Sequence, residues 1–218
     1  SIIQAKGDTQ YLKALKKLGN NTLFSQYASY VQSGSENLVQ SIEFMQNNQH
    51  EIVSRMDFSN LVLTGQSLGG LISVDANRQL KQSNTQAKIV ISLDSPVVLF
   101  DFQKASLDDF YASPHCAFQG GFTKLGKRDI GITKMAQHGI AQSDFEGCAI
   151  DTDLAHHNNY TDLSYIGMLK WFGLTGKVNG KKFGTWLNQS SLAIIEHYLY
   201  NESNDLKVTL LESSFSKH

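Results

Sequence analysis

The chain has 218 residues, of which 41% are hydrophobic and 18% charged, and its formal net charge is −1 at pH 7. This balance predicts neither a nucleic-acid partner nor an anionic-membrane partner, because both require a basic surface. The apolar content is too high for a disordered chain. No apolar run approaches the roughly 20 residues that cross a bilayer, so a transmembrane protein is also excluded.

Helical periodicity dominates the first 58 residues. Apolar residues recur at helical spacing from Thr9 to Leu18, where Gly19-Asn20 ends the run. A longer helix is predicted in the stretch that follows, with one apolar face formed by Leu38, Val39, Ile42, Met45, Ile52 and Val53.

The pattern changes after residue 59. Asn60–Thr64 and Lys88–Leu93 are short apolar runs that predict buried strands, and Leu68–Leu80 between them predicts a helix. Strand, helix and strand in this order form a βαβ unit, which predicts an α/β fold with a mostly parallel sheet flanked by helices. Further along, the sequence predicts a short strand near Cys148–Ile150 and two packed helices, Ser164–Phe172 and Ser190–Tyr200.

The junction between the first strand and its helix carries the motif G-x-S-x-G, from Gly65 to Gly69. In this setting the motif predicts a nucleophilic serine, Ser67, on a sharp turn. The turn is expected to require glycine two positions before and after the serine, and Gly70 gives room for close helix packing. The free N–H groups at the start of the helix behind the serine are predicted to stabilise a developing oxyanion. The alternative is a tight turn without chemistry.

A nucleophilic serine needs a base, and the chain offers seven histidines. His156 and His157 lie in a polar loop late in the chain, where α/β-hydrolases carry their base. His50 and His197 lie in helical segments and are expected to be surface or packing residues. The alternative for the pair at 156–157 is two surface histidines.

The acid that orients the base is predicted to be Asp94, at the carboxyl end of the second strand. Residues at that edge of a parallel sheet point into the crevice where ligands bind. The alternative is an aspartate that caps its own turn. The reserve candidates are Asp129, Asp151 and Asp153.

Three segments resemble one group of α/β-hydrolases: TGQSLGG around Ser67, SLDSPV around Asp94, and HNNYTDLSYIGMLK from His157 onward. The group contains platelet-activating-factor acetylhydrolases and dienelactone-hydrolase-like esterases. Its H-x-N-aromatic-x-D stretch selects His157 over His156, since the matching residues are His157, Asn159, Tyr160 and Asp162. The resemblance implies one α/β-hydrolase domain over 1–218, with a helical lead-in at 1–58 and a catalytic core at 59–200.

The resemblance also implies an activity. Ser67 would attack the carbonyl of a short-chain acyl ester or an acetyl-type phospholipid, while His157 takes its proton and Asp94 orients the imidazole. The backbone N–H of Leu68 would be one oxyanion donor, and Gln66 is assigned to the same oxyanion and substrate-binding group. No metal or organic cofactor is implied. The alternatives are a polyester or cutinase-like hydrolase, an inactive hydrolase-fold binding protein, and a fragment.

Members of this group carry several strands before the nucleophile strand, whereas the 66 residues before Ser67 are predicted to be helical. The chain is therefore expected to be the carboxyl-terminal part of a longer enzyme. No residue of this chain is identified as the second oxyanion donor. Its nucleophile strand would be an unpaired apolar edge, which predicts self-association. Whether Cys116 and Cys148 pair is left open, and a secreted or periplasmic location is favoured over a cytoplasmic one.

Overall fold

A four-stranded parallel sheet with the strand order β1-β2-β3-β4 forms the centre of the protein. The computed structural model describes residues 22–48, 50–83, 85–95, 113–120, 146–152, 154–172 and 174–200. The strands are β1 Val62–Gln66, β2 Ile89–Leu93, β3 His115–Gln119 and β4 Gly147–Asp151. The helices are α1 Thr22–Gln46, α2 Leu68–Leu80 and α3 Gly180–Tyr200. None of these helices is long and apolar enough to cross a bilayer.

Both faces of the sheet are covered. Val90 of β2 packs with α1 and α2, in a core that includes Ile42, Leu71 and Leu80. Its neighbours Ile89 and Ile91 join the other core, which contains side chains of β3 and α3. Successive strand residues point to opposite faces, so a strand buried on both sides is apolar throughout. The predicted α/β architecture with a parallel sheet flanked by helices is confirmed.

The helix after the first strand spans Leu68–Leu80, as predicted. The lead-in helix α1, in contrast, ends at Gln46 and does not continue to Val53. The Asn47 side chain donates to the Glu43 carbonyl at 2.9 Å, and the Asn48 side chain accepts from the backbone N–H of His50 at 3.0 Å. Such local side-chain bonds compete with the helix and end it, which leaves Ile52 exposed. The predicted helix at Thr9–Leu18 lies outside the described residues.

A buried polar contact attaches α1 to α2. Ser35 donates to Oδ2 of Asp75 at 2.5 Å, and Arg78 contacts Oδ1 of the same carboxylate at 2.8 Å. Because Asp75 is buried, its charge needs these partners. The helical lead-in is therefore joined to the sheet through α2.

The predicted helix at Ser164–Phe172 is wrong. The structure has two short 3₁₀ turns there, Asp162–Tyr165 and Gly167–Lys170. Ile166, whose backbone is extended with φ −88° and ψ 91°, separates them, and Gly167 directly after it disfavours a continuous helix. The last helix begins at Gly180 rather than Ser190, because Phe183 and Trp186 extend its buried face.

Strand β3 is absent from the sequence prediction, although it lies inside the sheet. Its sequence, His-Cys-Ala-Phe-Gln, contains no β-branched residue, so the local signal for a strand is weak. The segment forms a strand because it is buried between β2 and β4. His115 is buried, its Nε2 lies 2.8 Å from Ser92 Oγ, and burial lowers its pKa to about 3. This imidazole is neutral at physiological pH and belongs to the core.

Strand β1 lies at an edge of the sheet that the described residues form. Within the ranges given above, β2 is its sole strand partner, and α1 packs on α2 instead of supplying another strand. An open strand edge is a template for pairing with another chain. Self-association through this edge stays a prediction.

A disulfide joins Cys116 of β3 to Cys148 of β4. The sequence left open whether these two cysteines pair. The two residues are direct partners in the register of the strands, with their Cα atoms 4.4 Å apart. The bond therefore links the neighbouring strands β3 and β4 and closes a loop with a sequence separation of 32 residues.

Loss of this disulfide is expected to lower the free energy of unfolding by roughly 3–4 kcal/mol, since closing a loop of this length restricts the unfolded chain. Urea denaturation of the wild type with and without reductant measures the effect. The variant Cys116→Ala/Cys148→Ala is the control, because reductant has no bond to break in it. Two titratable thiols in the oxidised, unfolded wild type would contradict the expectation.

Candidate active site

Ser67 lies on a strained turn between β1 and α2. Its backbone has φ 56° and ψ −126°, a combination that is uncommon for a residue other than glycine. Its N–H donates to the Leu93 carbonyl at 2.9 Å, and its carbonyl accepts from the Gly70 N–H at 3.1 Å. These bonds hold the serine at the carboxyl edge of the sheet, directly before the helix.

The glycines around Ser67 differ in how strictly the turn requires them. A Cβ on Gly65 would overlap the backbone of Gly69 and lie 2.6 Å from the Gly70 nitrogen. A Cβ on Gly70 would overlap the hydroxyl of Ser95. A Cβ on Gly69 would meet nothing within 4 Å. The expectation that both glycines of the motif are required is therefore right for Gly65 and wrong for Gly69.

Gly65→Ala is expected to lower the free energy of unfolding by roughly 1–3 kcal/mol, because the turn must shift to admit the methyl group. Gly69→Ala is the matched control. Its position is helical and open, so the change is expected to raise stability by about 0.5–1 kcal/mol. Urea denaturation of both variants makes the comparison, and equal losses in the two would contradict this account of the turn.

Asp94 and His157 are 63 residues apart in the chain and are hydrogen-bonded in the structure. His157 Nδ1 lies 2.6 Å from Asp94 Oδ2, and Gly120 donates its backbone N–H to Asp94 Oδ1 at 2.8 Å. Asp94 has a positive φ of 48°, and its own N–H donates to the Phe118 carbonyl. Both carboxylate oxygens are thus engaged, and the carboxylate assigns the proton on neutral His157 to Nδ1. Nε2 then carries a lone pair.

The partner of that lone pair is Gln66. Its amide nitrogen lies 3.1 Å from His157 Nε2 and 3.4 Å from the His157 carbonyl oxygen. Among the described residues, no hydrogen bond joins His157 to the hydroxyl of Ser67. The sequence grouped Gln66 with the oxyanion and substrate-binding residues, and its contact with the imidazole was not predicted.

Leu68 is the first residue of α2. The first N–H groups of a helix have no partner one turn earlier, so they are available to an anion beside Ser67. The predicted oxyanion donor therefore stands at a helix amino terminus.

The loop that carries His157 is fixed by its neighbours in the sequence. His156 is buried and caps the turn His157–Tyr160, accepting from the Asn158 N–H through Nδ1. The buried Asn159 side chain accepts from His156 N–H at 2.7 Å and from Gly176 N–H at 2.6 Å. The two adjacent histidines thus have different roles. The sequence identified Asn159 only as part of a motif, and the structure gives it an anchoring role.

Tyr160 lies behind the carboxylate in the buried core. Its hydroxyl is 2.5 Å from Thr152 Oγ1, which donates to the Gln119 carbonyl at 2.9 Å. Burial raises the pKa of Tyr160 well above its usual value, and the negative charge of Asp94 raises it further. The phenol therefore stays protonated. Its ring packs edge-on against Phe183, with 5.3 Å between the ring centroids.

None of the other described candidates contacts His157. Asp151 is at the end of β4, and Asp129 and Asp153 fall outside the described residues. His50 is exposed, and His197 lies 3.8 Å from Glu146. Within the described ranges, no cluster of three or more histidine, cysteine or acidic side chains could hold a metal ion.

A cavity of about 600 Å³ lies at the amino-terminal edge of the sheet, away from Ser67. Lys88 and Pro114, which precede β2 and β3, contribute to its wall together with Phe58 and Tyr198. It is separate from the site, since Ser67, Asp94 and His157 are at the carboxyl edge.

No family model matches the chain, and no relative is found among curated proteins. A functional assignment therefore rests on the arrangement itself. That arrangement combines a serine on a strained turn, helix N–H groups beside it, and an imidazole held by a carboxylate. Such a set of groups is suited to attack on an acyl carbon.

Proposed function

We propose that the chain is a serine hydrolase of the α/β-hydrolase type that cleaves carboxylic esters through an acyl-enzyme. Ser67 is the nucleophile, His157 the general base and then the general acid, and Asp94 the group that orients the imidazole. The Leu68 N–H is one donor to the oxyanion. Water then attacks the acyl-enzyme, with His157 again as the base.

The observation that carries the proposal is the 2.6 Å contact between His157 Nδ1 and Asp94 Oδ2. A carboxylate at Nδ1 keeps the lone pair on Nε2, as a general base requires. The sequence selected these two residues from motifs that are 63 residues apart, and the fold brings their side chains into contact.

The contact of Gln66 with Nε2 defines a step in this mechanism. Ser67 Oγ must replace the Gln66 amide on the lone pair of His157 before the serine can lose its proton. Nε2 is then the atom that receives the serine proton. Gln66, released from the imidazole, would be a donor beside the acyl group, consistent with the role that the sequence assigned to it.

We propose short-chain acyl esters or acetyl-type phospholipids as substrates, following the resemblance of the motifs. A polyester or cutinase-like activity uses the same groups and remains the alternative within this class. The disulfide between Cys116 and Cys148 favours an oxidising compartment, in keeping with a secreted or periplasmic location.

A hydrolase-fold binding protein is the second candidate, and the Gln66 contact favours it. An imidazole whose lone pair is already occupied is not poised to activate the serine. In that case the crevice would bind a ligand without cleaving it.

A fluorophosphonate probe separates the two candidates, because only an activated serine reacts with it. The proposal expects labelling of the full chain at Ser67, identified by peptide mass spectrometry, and no labelling of Ser67→Ala. Heat-denatured protein is the control for non-specific reaction. A folded chain that stays unlabelled would favour the binding protein and contradict the hydrolase.

A further inference from the structure

Six exposed apolar side chains are concentrated in ten consecutive residues after the His157 loop. This apolar patch consists of Leu163, Tyr165, Ile166, Met168, Trp171 and Phe172. Trp171 is 91% exposed and Phe172 is 70% exposed. Single exposed apolar residues are ordinary, but a contiguous group of this kind marks an interaction surface.

The patch is fixed to the fold by α3. Gly180 packs so closely on Ser164 that a Cβ would overlap the Ser164 carbonyl, and a Cβ on Gly184 would lie 3.0 Å from the Tyr165 ring. The Asn158 side chain also donates to the Leu174 carbonyl at 2.8 Å, which joins the end of the patch to the loop of His157. The patch therefore lies beside the candidate active site.

Positive charge accompanies the patch. From residue 163 to residue 195 the sequence contains four lysines, Lys170, Lys177, Lys181 and Lys182, and no aspartate or glutamate. Lys181 and Lys182 are exposed in the first turn of α3. Cations at a helix amino terminus oppose the helix dipole, so helix stability does not explain these lysines. The net charge of −1 for the whole chain conceals this basic segment.

We infer that the apolar patch, together with the exposed Lys181 and Lys182, binds the surface of an anionic phospholipid membrane. Aromatic and aliphatic side chains enter the boundary between headgroups and acyl chains, and lysines at the rim attract anionic headgroups. A second copy of the chain fits less well, because a symmetric contact would bring like charges together. Binding is independent of catalysis, whereas the delivery of a lipid ester to Ser67 rests on the proposed function.

Co-sedimentation of the full chain with vesicles tests the inference. Binding is expected to mixed phosphatidylcholine and phosphatidylserine vesicles, to be weaker with pure phosphatidylcholine, and to fall as salt rises. Trp171→Ala/Phe172→Ala is expected to lower the partition coefficient by about 10-fold or more. Lys181→Gln/Lys182→Gln is expected to lower it by about 5-fold for each lysine.

Phe44→Ala is the matched control for the apolar change, since Phe44 is 68% exposed on α1 and is not part of the patch. Lys88→Gln, an exposed lysine elsewhere, is the control for charge. Neither is expected to change vesicle binding. Equal losses in the controls would overturn the inference, and so would a patch variant that changes the oligomeric state but leaves vesicle binding intact.

The unmodified protein gives a second readout that does not depend on the folding of a variant. Trp171 is exposed and Trp186 is buried, so a change of tryptophan emission with vesicles reports on Trp171. A blue shift, and quenching by a quencher attached to the lipid acyl chains, are expected. The absence of both, or no sedimentation at low salt, would overturn the inference. Because neither readout measures hydrolysis, an inactive enzyme that binds vesicles would contradict only the proposed function.

Discussion

Ser67→Ala is expected to reduce the hydrolysis of a short p-nitrophenyl ester by roughly 10⁴–10⁶-fold, because a catalytic triad acts as a unit. Ser67 has φ 56°, and this conformation costs free energy that a serine without a function would not need. Alanine also tolerates this conformation poorly, so the folding of the variant must be checked by circular dichroism. Steady-state turnover of matched preparations is the measurement.

Ser67→Gly is the companion variant that separates chemistry from strain. Glycine adopts a positive φ without cost, so this variant is expected to fold at least as well as the wild type. It is also expected to be as inactive as Ser67→Ala. If the glycine variant retained a large part of the rate, Ser67 would not be the nucleophile.

Asp94→Asn is expected to lower turnover by roughly 10³–10⁴-fold. An asparagine amide at this position can donate to Nδ1 of His157, which moves the imidazole proton to Nε2. Nε2 then has no lone pair with which to accept the serine proton. Asp94 is the sole described acid in contact with His157, at 2.6 Å. The measurement is kcat for the same ester, with thermal unfolding to verify that the fold is retained.

Asp151→Asn is the control for Asp94→Asn, since Asp151 is an exposed carboxylate at the end of β4, at the same edge of the sheet. Its turnover is expected to stay close to that of the wild type. A nearly silent Asp94→Asn, together with a large loss in Asp151→Asn or Asp153→Asn, would remove Asp94 from the mechanism.

Local patterns in the sequence were sufficient for the elements with strong signals. The helix Leu68–Leu80 has the predicted bounds, and both predicted strands of the βαβ unit are present as β1 and β2. Both strands are apolar runs of suitable length, and a glycine-rich junction joins β1 to the helix, so local and tertiary preferences agree. The motifs also selected Asp94 and His157, which the fold brings into contact.

Long-range contacts decided the rest. His115–Gln119 is a strand because its neighbours bury it, while its composition gives little local signal. The pairing of Cys116 with Cys148 depends on the register of two strands, and register is a property of the assembled sheet. Ser164–Phe172, by contrast, has helical spacing but forms 3₁₀ turns, and most of its apolar side chains are exposed, so few buried contacts are available to stabilise a helix.

The sequence by itself determined the βα turn, the residue types at the site and their order along the chain. Spacing and glycine positions encode these features locally, within a few residues. Only the tertiary structure decided that Gln66 contacts the imidazole, that Gly69 is dispensable to the turn, and that an apolar, basic surface lies beside His157. Each of these three findings depends on the distance between segments that are remote in the chain or on the exposure of a side chain. A local sequence pattern determines neither quantity.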